Sequence, residues 1–134
     1  MSVVVRRLNE TELSNQILLF IVDVTDKSTH SSFLEKLLVI KIYTNISYNY
    51  YTMDNPNETL KYANKGIDFA QDNSLMYGLP LLYMRKGIAQ LKLGIPAHIE
   101  SIKKSLYILE VQGNTKLKVI YEQVLKSKYK VTFN

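Results

Sequence analysis

The chain has no cysteine and no tryptophan, three prolines, five glycines and no long apolar run. Without cysteine there is no disulfide scaffold, thiolate-bound zinc, iron–sulfur cluster or thiol nucleophile. The longest apolar run, Ile17 to Val22, spans six residues and is too short to cross a bilayer. Met1 to Arg7 carry charge without the apolar core and cleavage pattern of a secretory signal. These absences fit a soluble, cytoplasmic protein. Arginine is scarce as well, three against fourteen lysines, which disfavours bidentate contacts to phosphate or guanine.

Catalytic signatures are missing too. There is no GxGxxG, GxxxxGK[ST], HExxH or GxSxG, so nucleotide, zinc-protease and hydrolase-elbow chemistry have no anchor. His30 and His98 fall in turn-like, solvent-exposed positions with no second ligand at helical spacing. The pairs Asp68/Asp72 and Asp23/Asp26 read as solvated helix faces. No catalytic residue, metal site or cofactor is expected.

What the chain does have is 134 residues, enough for one core and one domain, and a net charge of +5. The charge is local. Residues 115–134 hold Lys116, Lys118, Lys126, Lys128 and Lys130 against Glu122, while the preceding 114 residues are nearly balanced. That basic end reads as a solvated last helix, as a dimer or partner surface, or as a nucleic-acid contact in which Tyr121 and Tyr129 stack bases. The missing arginines make the last the weakest, and no direct nucleic-acid contact is expected.

Apolar residues recur at helical spacing between capping signals. A first helix over about 10–26 opens on Asn9 and Glu12 and carries Leu13, Ile17, Phe20 or Ile21, and Val24 on one face. A second, from Ser32 and Glu35 to about Met53, is apolar on several sides (Leu37, Leu38, Ile40, Ile42, Tyr43, Ile46, Tyr50), as a helix buried between neighbours is. Asn55, Pro56 and Glu58 start a third that runs to Asp72 with Leu60, Ala63, Ile67 and Ala70. Asn73-Ser74 ends it and can cap a fourth, which reaches Leu93 and stops at Gly94. Pro80 implies either a late start near Leu79 or a kinked first turn. A fifth opens at Pro96, carries Ile99, Ile102, Leu106 and Leu109, and ends at Gly113. A sixth covers about 115–127 with Leu117, Ile120, Val124 and Leu125. The tail from Tyr129 to Phe133 alternates like a strand.

Six helices with short polar turns make an all-α domain of antiparallel hairpins. An offset of 39 to 40 superposes the second and third helices on the fourth and fifth: Tyr43 falls on Tyr83, Ser47 on Gly87, Ala63 on Ile102, Lys65 on Lys104 and Gly66 on Ser105. Small residues recur where two helices would cross. The expected architecture is a short tetratricopeptide-like solenoid spanning 1–134, with units at about 33–73 and 75–113 and end helices at about 10–26 and 115–127. The first helices of successive units line a groove that suits an extended peptide or a partner helix.

From Leu60 to Leu125 the chain resembles the C-terminal half of Gram-positive peptide-sensing transcription regulators of the Rgg/PlcR type. The segment Leu82-Tyr83-Met84-Arg85-Lys86-Gly87, the Lys92-Leu93-Gly94 turn, and Ile102-Lys103-Lys104-Ser105-Leu106 running to Gly113-Asn114 carry the resemblance. It implies an all-helical domain that binds a short secreted signalling peptide and forms a homodimer. Such regulators read DNA through an N-terminal helix-turn-helix, and nothing before Leu37 looks like one. The chain thus reads as an excised regulatory domain, or as a short form acting through inactive heterodimers. A tetratricopeptide-like adaptor for a protein partner is the alternative.

A peptide ligand needs amides for its backbone, apolar pockets for its side chains and a cation for its carboxylate. Lys41, Asn45, Tyr48 and Asn49 on the second helix, and Met84, Arg85, Ile88 and Lys92 on the fourth, are the candidates. Tyr43, Tyr48, Tyr50 and Tyr51 have packing as their competing role.

Overall fold

The computed structural model describes residues 3–26 and 32–133, with side chains described for 10–23 and 32–133. Six helices follow in order: α1 (Val3–Asp26), α2 (Phe33–Thr52), α3 (Pro56–Asp72), α4 (Leu79–Lys92), α5 (His98–Val111) and α6 (Thr115–Lys128). No strand occurs among the described residues.

Local chemistry explains most boundaries. The Ser32 hydroxyl accepts from the Glu35 amide at 3.2 Å, and the Asn55 side chain accepts from the Glu58 amide at 3.2 Å, with Pro56 at the first helical position. Each satisfies an otherwise orphaned N–H of a first turn. Asn114 caps α6 in the same way.

Three boundaries differ from expectation. α1 begins at Val3, so Asn9 lies within it; residues 3–8 contain no proline or glycine to stop a helix. α4 makes the late start at Leu79 that Pro80 implies, but its cap is Gly78, at φ +80°, and not Asn73-Ser74; Pro80 occupies its first turn, where its missing N–H leaves no helical bond unmade. α5 starts at His98, leaving Pro96 in the preceding turn.

The turns expose the repeat more sharply than the side chains do. Asp54, Ser74, Gly94 and Gly113 each follow the end of a helix in a left-handed conformation. At each, the next residue donates back across the turn: Asn55 to Tyr50, Leu75 to Ala70, Ile95 to Gln90 and Asn114 to Leu109. This is the paired-bond ending that satisfies the last free carbonyls. Asp54 and Gly94 lie 40 positions apart, Ser74 and Gly113 lie 39 apart, and these are the offsets that superpose the hairpins. Two of the four positions carry a Cβ where glycine fits better. Ser74→Gly is expected to raise stability by about 0.5–1 kcal/mol, read as a higher urea midpoint at unchanged slope.

Packing is between neighbours. α2 lies on α3, α3 on α4 and α4 on α5; α2 also meets α4, α1 contacts α2, and α6 contacts α5. The core is accordingly layered. One layer joins Val22, Val39, Ile42, Ile46, Tyr50 and Tyr62. The next joins Ile40, Ile67, Ala70, Leu79 and Leu82. The last joins Met84, Ile88, Ile102, Leu106 and Leu125. The small residues matched by the repeat sit at the crossings. A Cβ on Gly87 would come within 2.5 Å of Ile102 Cγ1, and one on Gly66 within 3.0 Å of Leu82 and Tyr43. Ser47 and Ser105 are fully buried, and the Ser105 hydroxyl donates to the Pro80 carbonyl at 2.5 Å. The result is a short tetratricopeptide-like solenoid of antiparallel hairpins.

The end helices depart from expectation. α1 turns Asn15, Leu18, Leu19 and Val22 toward α2, while Leu13, Ile17, Phe20 and Ile21 are exposed. Asn15 fixes this choice of face by accepting from Asn49 of α2 at 2.7 Å. Val24 lies outside the described side chains. On α6 only Leu125 is buried; Leu117 is half-buried, and Ile120 and Val124 are exposed. Ile99 of α5 and Leu38 of α2 also face outward. The tail forms no strand: Tyr129, Val131 and Phe133 fold back on the last core layer. No described helix is long and apolar enough to cross a membrane.

Candidate functional site

α2, α4 and α6 each occupy the first-helix place of a repeat, and a cleft of about 310 Å³ opens among them. Thr44 of α2, Leu81 of α4, and Leu117 and Tyr121 of α6 line it, with Tyr77 and Leu109 at its edge. One turn further along α2 and α4 come Tyr48 and Arg85. The Arg85 guanidinium carbon lies 4.9 Å from the ring centroids of both Tyr48 and Tyr51, within cation–π range. Tyr121 and Tyr129 are its other electrostatic neighbours.

Arg85 has no ion-pair partner among the described residues, and its Nε is buried without a hydrogen bond. Burial lowers its pKa, and the tyrosines around it oppose that shift. A guanidinium stays protonated in proteins, so Arg85 is a cation partly stripped of water and set against ring faces, with no carboxylate beside it among the described residues. Such a cation attracts an anion that can use the guanidinium's free N–H groups.

The rim is tied down by phenols and amines. The Tyr51 and Tyr129 hydroxyls are 2.5 Å apart, and Lys128 Nζ donates to the Tyr51 hydroxyl at 2.9 Å. Burial pushes Tyr129 up to about 12, and its bond to Tyr51 pushes the same way. For Tyr51, burial acts upward but is outweighed by the Lys128 and Tyr129 hydrogen bonds, so its pKa falls below the ordinary value. Lys92 Nζ sits 5.2 Å from the Tyr51 centroid and 3.0 Å from Asp54.

The expected residues divide. Tyr48 and Arg85 meet directly, and Lys92 joins them through Tyr51. Lys41 and Asn45 are exposed on α2; their i, i+4, i+7 spacing with Tyr48 puts all three on one stripe. Asn49 instead faces α1 through Asn15. Met84 and Ile88 are buried in the last core layer, on the side of α4 turned to α5 and α6, so they offer no groove surface. His98 is half-buried, not exposed, with Nδ1 2.8 Å from the Ile95 carbonyl. His30 lies outside the described residues. Asp68 and Asp72 are solvent-exposed, and no acid or histidine cluster among the described residues could hold a metal.

Tyr51, Tyr121, Lys128 and Tyr129 belong to this cluster without having been candidates for it. Their signal was present: Tyr121 and Tyr129 are eight apart among the lysines of α6, and Tyr51 lies one turn beyond Tyr48. A wider depression of about 650 Å³, lined by Pro96, Ile99, Lys103 and Tyr107 among others, comes wholly from α5 and the turn before it. Lacking an opposing wall, it cannot enclose a ligand.

The chain matches no family model, no curated protein and no solved structure.

Proposed function

We propose that the chain is a regulatory domain that binds a short apolar peptide in the α2–α4–α6 cleft and anchors its terminal carboxylate on Arg85. The observation that carries this reading is a half-buried guanidinium with no acidic partner among the described residues, one helical turn along α4 from Leu81 of the cleft wall. Its supports are the Tyr48 and Tyr51 rings within cation–π range of it and the exposed stripe of Lys41, Asn45 and Tyr48 on α2. Extended peptides are held by side-chain amides along the backbone and by a cation at the terminus; Asn45 and Arg85 supply these. The resemblance to peptide-sensing regulators of the Rgg/PlcR type gives the biological form: a cytoplasmic quorum-sensing domain whose ligand shifts the population of protomer arrangements, in a homodimer whose DNA reader lies elsewhere. Its chemistry is binding, with no catalytic step.

The test is to titrate the isotope-labelled chain with an equimolar mixture of acetylated apolar peptides of about five to eight residues, following backbone amide shifts. Changes should concentrate on Lys41–Tyr51, Leu81–Arg85 and Leu117–Tyr121. Changes confined to the outer faces of α3 and α5, or none at all, would remove this reading.

A further inference from the structure

Both ends of the stack turn an apolar face outward. Among the described residues α1 contacts α2 and no other helix, and on its other side Leu13, Ile17 and Phe20 are 58%, 54% and 68% exposed. α6 packs on α5 and, through Leu125, on the last core layer, while Val119, Ile120 and Val124 face outward. End units of a solenoid ordinarily carry polar outer faces, which is what stops further stacking. Neither end does so here.

We infer that these faces are each other's partners: α1 of one copy docks antiparallel on the outer face of α6 of a second copy. The repeat supports this placement. Among the described residues, α6 stands in a first-helix position with no second helix over it, and α1 stands in a second-helix position with no first helix packed on its outer side. The docked α1 would continue the stack as α3 continues α2.

Charge selects this pairing over the symmetric ones. After Arg6 and Arg7, α1 carries only acids, Glu10, Glu12, Asp23 and Asp26, whereas α6 carries Lys116, Lys118, Lys126 and Lys128 against Glu122. Setting Ile17 opposite Ile120 in an antiparallel pair brings Lys126 and Lys128 beside Glu10, on the Ile17 face of α1, and Lys116 within a turn of Asp23; Glu12 is turned to α2, where it accepts from the Tyr50 hydroxyl. An antiparallel α1–α1 pair centred on Ile17 would instead place Asp23 between Glu10 and Glu12. An α6–α6 pair centred on Ile120 would bring Lys116 within a turn of Lys126 and would set Lys118 opposite Glu122, leaving the other lysines of both helices without an acid. Opposite charges steer the encounter and like charges reject the wrong partner; burial of the exposed Leu, Ile, Phe and Val side chains supplies the adhesion. A single such contact is head-to-tail, and two reciprocal ones close a two-fold dimer. This pairing rests on the fold and the charges, independently of the peptide reading.

The absence of native cysteine makes the test direct. Ile17→Cys and Ile120→Cys each place one thiol on an exposed position, in chains distinguished by isotope labelling. The two are mixed in equal amounts and mildly oxidised, and mass spectrometry counts the three disulfide dimers. The disulfide joining position 17 to position 120 should rise well above the roughly one-half share of a random mixture, toward nearly all of the dimer, and fall back toward that share in about 1 M salt. Light scattering should show mass rising with concentration, and Lys116→Glu with Lys126→Glu should suppress that rise. Dominant like-with-like disulfides, a purely statistical mixture, or a monomer at every concentration would each overturn the inference.

Discussion

Gly78→Ala is expected to destabilise the fold by roughly 3 kcal/mol, combining a left-handed backbone cost of about 1–2 kcal/mol with overpacking of about 1–3 kcal/mol. The new Cβ would lie 2.6 Å from Ile40 Cγ2, and Gly78 holds φ +80°. Ile40 is fully buried and has little room to retreat. At this chain length the loss corresponds to a melting temperature lower by roughly 10 °C. Gly94→Ala and Gly113→Ala are the controls. Both sites have positive φ but nothing within 4 Å of the new Cβ, so each should lose only about 1 kcal/mol. Adding Ile40→Leu, which removes the crowding methyl branch, should recover part of the Gly78→Ala loss. Equal losses at all three glycines would show that left-handed strain alone operates and that α4 does not press on α2 as described.

Arg85→Met is expected to weaken peptide binding at least tenfold, because a hydrogen bond to a charged group is worth about 1.5–3 kcal/mol. The accompanying effect on stability distinguishes a binding role from a structural one. Arg85 is half-buried, has no acid partner among the described residues and leaves Nε unbonded, so the folded protein bears its desolvation without a matching ion pair. Methionine packs well against the Tyr48 and Tyr51 rings, so the urea midpoint should hold or rise as binding falls. Arg85→Lys keeps the charge but loses the planar fork and the ring stacking, and should give an intermediate affinity. Weaker binding together with an equally weakened fold would move Arg85 to a structural role.

Much of the fold could be read from spacing and caps because those signals are local. Ser32, Asn55 and Gly94 mark helix ends through bonds to residues three to five positions away. The face of α1 could not be read this way. Leu13, Ile17 and Phe20 form as good a stripe as Leu18, Leu19 and Val22, and the choice depends on Asn15 meeting Asn49, a contact 34 positions apart. The same long-range pair takes Asn49 out of the groove. Met84 and Ile88 were misplaced for a related reason: α4 is flanked by α3, α5, α2 and the α6 side chains, so its apolar residues serve the core while Arg85 keeps the open side. The phenols of Tyr51 and Tyr129, 78 positions apart, meet only because the tail folds back, and no periodicity announces that.

The central claim is that Arg85 receives the carboxylate of a peptide lying in the α2–α4–α6 cleft. Titration calorimetry with matched apolar peptides, identical except for a free-acid or an amidated C-terminus, tests it most directly. The free-acid form should bind at least tenfold more tightly to the native chain, with no difference between the two forms on the Arg85→Met variant. Equal affinity of the two forms for the native chain would contradict the account.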